Sequence, residues 1–463
     1  MARFSIRGLY DEVERRITPP VETIVHSDEF AATMKVVGRT RSAIGSRIDA
    51  VGAAVLHAVN LPAGSDIRKL RRQVGDLDYE IRRLRRNSLS GTIATAHPAG
   101  RTDVGVTDGP RGALDRVRQE IERNALRARN GIKMAAGLTA PRIGASPRDE
   151  VWRDGRARLF RYRNDEVRHR PPLLIVFSLV SRSYILDLTP GNSFIEHLLG
   201  AGFDVYLLDW GVPDERDSAN GLEYYADAAI PAAIRETCRR SGTDEVNLLG
   251  YCFGGNLTLL HAAHHPDSPI RSHTVVACPV DYSEMPFKSV LTSSPDDLER
   301  ALGDDGNVPA DVVYGAFRSL KPVAELTGYV DLLERMWSDE YVAAYQAMNG
   351  WGTDHVPLPG GVARQMGTML SGNNGFMTDR LYLGGDRVHL SDIRTPFLAV
   401  VGEKDHIVPI AAASPVMDLV GADDKTELRL KGGHIGLVVG RTAAKTTIPT
   451  IIEFLIDKSE AVR

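Results

Sequence analysis

Val246-Asn247-Leu248-Leu249-Gly250-Tyr251-Cys252-Phe253-Gly254-Gly255, continuing into the helical run Asn256 to His264, is the stretch whose reading decides the fold. A short apolar strand passes through glycine to a cysteine and leaves directly into a helix, the context of a nucleophile elbow with cysteine in the position serine often takes. The spacing has a physical reason. A nucleophile at the tip of a strand-to-helix turn sits in a strained backbone conformation, and glycines at 250 and 254 let strand and helix approach without Cβ clashes. The turn also aims the backbone N–H of Phe253 and the positive end of the helix at the place where an oxyanion would develop. A free cysteine is more commonly a small core residue. Strand, elbow and helix in succession favour the nucleophile.

Outward from the elbow, short apolar runs alternate with helical stretches: Leu173 to Phe177, Val205 to Leu208, Thr274 to Ala277, Phe397 to Val401 and Glu427 to Leu430. Such alternation predicts a mainly parallel sheet wrapped by helices. A nucleophile of this kind needs a base and an orienting acid, which follow it in the order acid, then histidine. Gly402-Glu403-Lys404-Asp405-His406 follows the strand Phe397 to Val401, and Lys431-Gly432-Gly433-His434-Ile435-Gly436 follows the last strand. His434 is therefore read as base and Asp405 as its partner, with adjoining His406 as the rival histidine given a structural role. Cys238 and Cys278 read as packing residues, and His264-His265 as an exposed helix end with no ligand partner, favourable to the helix dipole. No GxGxxG, P-loop or metal-ligand spacing is present, so no cofactor or metal is expected.

The chain has 463 residues, 43% apolar and 25% charged, which is globular composition and, at about 150 residues per domain, two or three units. Residues 1–150 carry 26 basic against 18 acidic residues, and the remainder 30 against 42. The Arg residues of the basic front are mixed with Asp and Glu, so solvated helix faces are expected there rather than nucleic-acid contacts. Three scattered cysteines build neither a disulfide framework nor a metal site and point to a reducing compartment. Met1 to Arg16 never forms an apolar leader core, and no run approaches 18 apolar residues, so neither secretion nor a membrane span is expected.

Between Ser65 and Arg86, Ile67, Leu70, Val74, Leu77, Ile81 and Leu84 recur at alternating spacings of three and four. With β-branched residues at one heptad position and leucine at the other, this seam suits a parallel two-stranded coil, and it would equally dock on another helix of the chain. Asn87 to Gly112 is rich in Gly and Pro and reads as a flexible linker. Leu114, Val117, Ile121 and Ala125 then line one face of a helix running to about Met134.

The box Gly250 to Gly255 resembles that of polyhydroxyalkanoate synthases, which use cysteine where lipases use serine. Tyr184-Ile185-Leu186-Asp187-Leu188, Asp209-Trp210-Gly211, Pro279-Val280-Asp281, Trp351 to Asp354 followed by Pro357-Leu358-Pro359-Gly360, and Gly433-His434-Ile435-Gly436 are similar to that family's signatures in the same order. The likeness runs from about Arg127 to the C-terminus. It implies an α/β-hydrolase fold with a cap insertion at about 283–388 and a catalytic domain over 113–463; composition and heptad spacing place a linker over 91–112 and a helical region with a short coiled coil over 1–90 before it. It further implies a cytoplasmic acyltransferase that polymerises (R)-3-hydroxyacyl-CoA into a polyester such as poly(3-hydroxybutyrate), releasing CoA. Cys252 would bear the acyl group, His434 would activate it, and Asp405 would orient His434 or help activate the substrate hydroxyl. A thioester on cysteine is close in energy to the incoming CoA thioester, and a cap that excludes water protects it from hydrolysis.

Ser178-Leu179-Val180-Ser181-Arg182-Ser183 departs from the family, many members of which carry asparagine near this loop; the N–H of Val180 or Ser181 is the expected second oxyanion donor. Leu61-Pro62-Ala63-Gly64-Ser65-Asp66 and the heptads are similar to phasin-like proteins and to the helical partner subunit of shorter synthases. That implies a helical element carried in cis which others borrow in trans; the heptad seam and the synthase resemblance together imply a homodimer, and the basic amphipathic front suits the surface of polyester granules, with granule-associated proteins as partners. A thioesterase or polyester hydrolase of the same fold, or an inactive granule scaffold, are the competing readings, which Cys252 and the ordered acid and histidine respectively disfavour.

Overall fold

The computed structural model of the chain describes residues 110–135, 141–286, 295–320 and 332–462. The expected heptad region, residues 1–90, and most of the expected linker lie outside the described residues. The linker's last residues, Pro110 to Gly112, belong instead to helix α1 (Pro110–Ala135), whose first turn suits proline because an N–H there would have no intrahelical acceptor.

The main sheet of the described residues comprises β1 (Arg148–Asp154), β2 (Ala157–Tyr162), β3 (His169–Val176), β4 (Phe203–Asp209), β5 (Val246–Tyr251), β6 (Ile270–Val276), β7 (Phe397–Gly402), β8 (Lys425–Leu430) and the short β9 (Glu460–Ala461). Its order is β1-β2-β4-β3-β5-β6-β7-β8, with β9 pairing antiparallel to β3. From β4 to β8 every neighbouring pair is parallel, while β1 and β2 form an antiparallel hairpin at one edge.

Successive residues of β3 explain why its sequence reads as one apolar run. Leu174 and Val176 join one core layer, with Ile230 and Ile234 of α3 (Ile230–Ser241) and Leu257 and Leu260 of α4 (Phe253–His264). Leu173 and Ile175 point to the opposite layer, which holds Phe194 and Leu198 of α2 (Phe194–Gly200) and Ile451 and Leu455 of α9 (Ile448–Asp457). A sheet buried on both faces needs apolar residues at every position. Full burial of each of these side chains contributes roughly 1.5–3 kcal/mol as an upper bound.

The chain between β6 and β7 is a long insert, residues 277–396. Its described helices are α5 (Pro295–Ala301), α6 (Ala310–Ser319), α7 (Asp339–Thr353) and α8 (Gly360–Gln365), with a hairpin formed by Leu381–Leu383 and Asp386–Val388. Helix α1 is fastened to this insert: Arg129 pairs with Asp339, and buried Asn130 donates to the Met336 carbonyl at 2.7 Å. On the other side, Trp351 Nε1 donates to the Arg182 carbonyl at 2.7 Å, and Asp354 accepts from Arg182 and from the Tyr184 hydroxyl. No described helix is long and apolar enough to cross a membrane.

Candidate active site

Cys252 stands between β5 and α4 with φ 55° and ψ −125°, a positive φ that a side-chain-bearing residue adopts only under constraint from its surroundings. Two glycines supply the room. A Cβ on Gly250 would lie 2.5 Å from Gly255 Cα and from Thr258 Oγ1, and one on Gly254 would run into the carbonyl oxygens of Val176 and Phe177. Strand, helix and the end of β3 therefore close on the cysteine from three sides. The Cys252 amide donates to Val276 O at 2.8 Å, anchoring the turn to β6.

The acid and the histidine converge because their strands are neighbours. β7 and β8 pair in parallel with Gly402 opposite Leu430, so the loops that follow emerge side by side. Glu403 N donates to Leu430 O at 2.7 Å and Lys404 N to Gly432 O at 3.0 Å, which locks the two loops together. Asp405 uses one carboxylate oxygen to accept from the amides of Ile407 and Val408 and the other to accept from His434 Nδ1 at 2.8 Å. Cys252 lies close enough for its charge to act on the His434 ring. Cys252, His434 and Asp405 are all buried, and His434 and Asp405 are joined by a hydrogen bond. His406 points outward and is exposed.

Burial disfavours a charged imidazole at His434, yet the negative charges of Asp405 and Cys252 and the bond to Asp405 outweigh it, so its pKa rises from 6.5 to about 10. Tyr251 completes the packing: its ring lies 5.3 Å from that of His434, and its hydroxyl donates to the His434 carbonyl at 3.3 Å. Sequence reasoning passed over this residue, although its place immediately before the cysteine in the elbow signals contact with whatever the cysteine meets.

Phe253 opens α4, so its N–H has no acceptor within the helix. Val180 and Ser181 lie in the turn after β3. Val180 O accepts from His355 Nδ1 at 3.1 Å, and Ser181 forms an isolated antiparallel bridge with His355. The turn is thereby tied to the insert, and the buried Ser178 hydroxyl beside it has no protein partner. Cys278 is buried behind Gly255 and Cys238 is half-buried; both thiols are free and burial raises both pKa values. The pair His264-His265 departs from the expected exposed end without a partner. His264 is half-buried, and both imidazoles bond the Asp227 carboxylate, which folding brings from a turn 37 residues earlier.

Residues 171–440 match a family model described as alpha/beta hydrolase fold. Over 349 residues the chain is 34% identical to the poly(3-hydroxyalkanoate) polymerase subunit PhaC of Allochromatium vinosum, covering 74% of this chain and 98% of that protein. The chain belongs to the poly(3-hydroxyalkanoate) polymerase family. The protein of that name from Haloferax mediterranei is 32% identical over 75% of this chain and 72% of its own. Among solved structures, a monoacylglycerol lipase of Paleococcus ferrophilus is similar at 17% identity and a TM-score of 0.41, over 65% of this chain and 99% of that one. Like its relatives, this family member is an acyltransferase. The residues that match the alpha/beta hydrolase fold model, 171–440, include the elbow and the loops that carry Asp405 and His434.

Proposed function

We propose that this protein polymerises (R)-3-hydroxyacyl-CoA into a polyester, with Cys252, His434 and Asp405 as its catalytic residues. The observation that carries the reading is the buried His434–Asp405 pair, which acts electrostatically with Cys252 at the strained elbow. His434 takes the Cys252 proton as general base, so that the sulfur attacks as a thiolate. The thiolate attacks the thioester carbonyl, and the oxyanion of the tetrahedral intermediate is held by the Phe253 N–H and by a second donor from the turn Ser178 to Ser181, with the Val180 or Ser181 amide as the assigned group. The carbon–sulfur bond to CoA then breaks, CoA leaves with the His434 proton, and the acyl group remains on Cys252. His434, now neutral, takes the proton of an incoming 3-hydroxyl, whose oxygen attacks the acyl-cysteine; the ester forms and the Cys252 sulfur is released beside a recharged imidazolium. Asp405 fixes the ring so that Nδ1 faces the carboxylate and leaves Nε2 for the proton transfers, and it stabilises the positive charge.

The test is an assay with (R)-3-hydroxybutyryl-CoA that follows free CoA with a thiol reagent and the product by turbidity and mass. CoA release with insoluble polyester, lost in Cys252→Ala, supports the reading. CoA release with monomeric acid alone makes the protein a hydrolase, and no release with short or medium acyl chains makes it a scaffold. In the same reading the heptads from Ser65 to Arg86 pair two chains, and the dimer works in the cytoplasm at the granule surface. Light scattering of the full chain beside Leu77→Lys tests the pairing: a dimer that falls to a monomer supports it, and an unchanged mass contradicts it.

A further inference from the structure

The helix that begins at Cys252 ends in a second group of convergent side chains. His264 is the last residue of α4, and His265 caps it with φ −123° and ψ 70°, so consecutive imidazoles leave the helix in different directions and turn back upon one carboxylate. His264 Nδ1 lies 2.8 Å and His265 Nε2 3.0 Å from the same Asp227 oxygen. One ligand atom from each of the three residues lies within 4.8 Å of the others. Asp227 stands in the π-helical turn Tyr224–Ala229 that leads into α3, a form of backbone frequently found at functional sites. On its far side, His264 Nε2 faces Asp386 of the insert hairpin at 3.8 Å. A surface pocket lined by Pro231, His261, His265, Pro266 and Ser268 opens beside the group.

We propose that Asp227, His264 and His265 bind one divalent transition-metal ion of the zinc, nickel or copper type, with the pocket giving access to an open coordination position. Two imidazoles and one carboxylate suit these borderline ions, whereas magnesium and calcium favour all-oxygen sites. Tetrahedral zinc with bonds of about 2.0–2.1 Å separates its donors by about 3.3–3.4 Å. The nitrogens therefore need to draw back from the Asp227 oxygen by only a few tenths of an ångström. Asp386 is placed as the outer carboxylate: its exposed side chain stands 3.8 Å from His264 Nε2, so a small approach would let it accept from that nitrogen while Nδ1 ligates. His261 is occupied elsewhere, with Nδ1 on the Ala226 carbonyl and Nε2 on Ser268 Oγ, and it stays outside the ligand set. A bound ion ties the end of α4 to the turn before α3 and, through Asp386, to the insert. This inference does not depend on the polymerase reading.

The test uses the full chain stripped with chelator, titrated with zinc against a fluorescent zinc indicator, and studied by zinc X-ray absorption at one equivalent. One ion per chain bound at about 10 μM or tighter, with two imidazoles and no sulfur around it, is the expected result. His265→Gln at the half-buried cap and Asp227→Asn each weaken binding by about tenfold or more, while Cys252→Ala leaves it unchanged. If Asp227→Asn does not fold, His265→Gln decides. A sulfur ligand, undiminished affinity in His265→Gln, or no binding below about 100 μM overturns the proposal.

Discussion

His434 Nδ1 donates to Asp405 Oδ2 at 2.8 Å, and the two side chains are 7% and 0% exposed. With water so nearly excluded, the carboxylate is the dominant source of positive charge stabilisation for the ring, and its two backbone donors, Ile407 and Val408, fix it in place. Asp405→Asn preserves the volume but removes the charge and allows the wrong imidazole tautomer. Release of CoA is expected to fall by about 10³- to 10⁴-fold with KM little changed, measured by steady-state kinetics. A loss below tenfold would show that the pair is not part of the reaction.

The raised pKa of His434 makes stability depend on alkaline pH. Folding favours the proton, so this contribution is complete below the unfolded value of 6.5 and is lost as pH rises toward about 10. Melting temperatures recorded from pH 6.5 to 10 are expected to fall more steeply for the wild type than for His434→Gln. Parallel curves would contradict the raised pKa.

Gly254 is the point of closest approach between α4 and β3, since a Cβ there would enter the carbonyl oxygens of Val176 and Phe177. Backbone cannot move aside as a side-chain tip does. Gly254→Ala is expected to cost about 3 kcal/mol or more in urea unfolding, and a cost under about 1 kcal/mol would refute this account of the elbow.

Two contacts that tie the turn after β3 to α7 differ in their energetics. The Arg182–Asp354 pair is partly exposed, at 32% and 41%, so Asp354→Ala is expected to cost less than about 1 kcal/mol. Trp351 is buried and its Nε1 satisfies the Arg182 carbonyl, so Trp351→Phe is expected to cost about 1–3 kcal/mol. Chemical denaturation of both variants checks the order, and the reverse ranking would contradict it.

Sequence legibility followed distance along the chain. The elbow was readable because strand, glycine, Cys252, glycine and helix are contiguous and each residue answers a local steric demand. The parallel strands were readable because burial on both faces leaves continuous apolar runs, as in Leu173 to Val176. Asp405 and His434 were readable from the loops that follow the buried strand β7 and the largely exposed strand β8, but the adjacency of those strands is a property of the assembled sheet. The β1–β2 hairpin escaped notice because Arg148, Arg153, Arg158 and Arg161 interrupt its apolar residues at an edge where one side meets solvent. Asp227 escaped for another reason: nothing near it in sequence announces the two histidines that folding brings to it.

The central claim is that Cys252 carries the growing chain. Its most direct test is to mix the protein with (R)-3-hydroxybutyryl-CoA, stop the reaction in acid within the first turnover, and map acylated peptides by mass spectrometry. A thioester-linked 3-hydroxyacyl group on the peptide containing Cys252, absent in Cys252→Ala, is the predicted result. Turnover with no acyl group on that peptide, or with the group on another residue, would contradict the account.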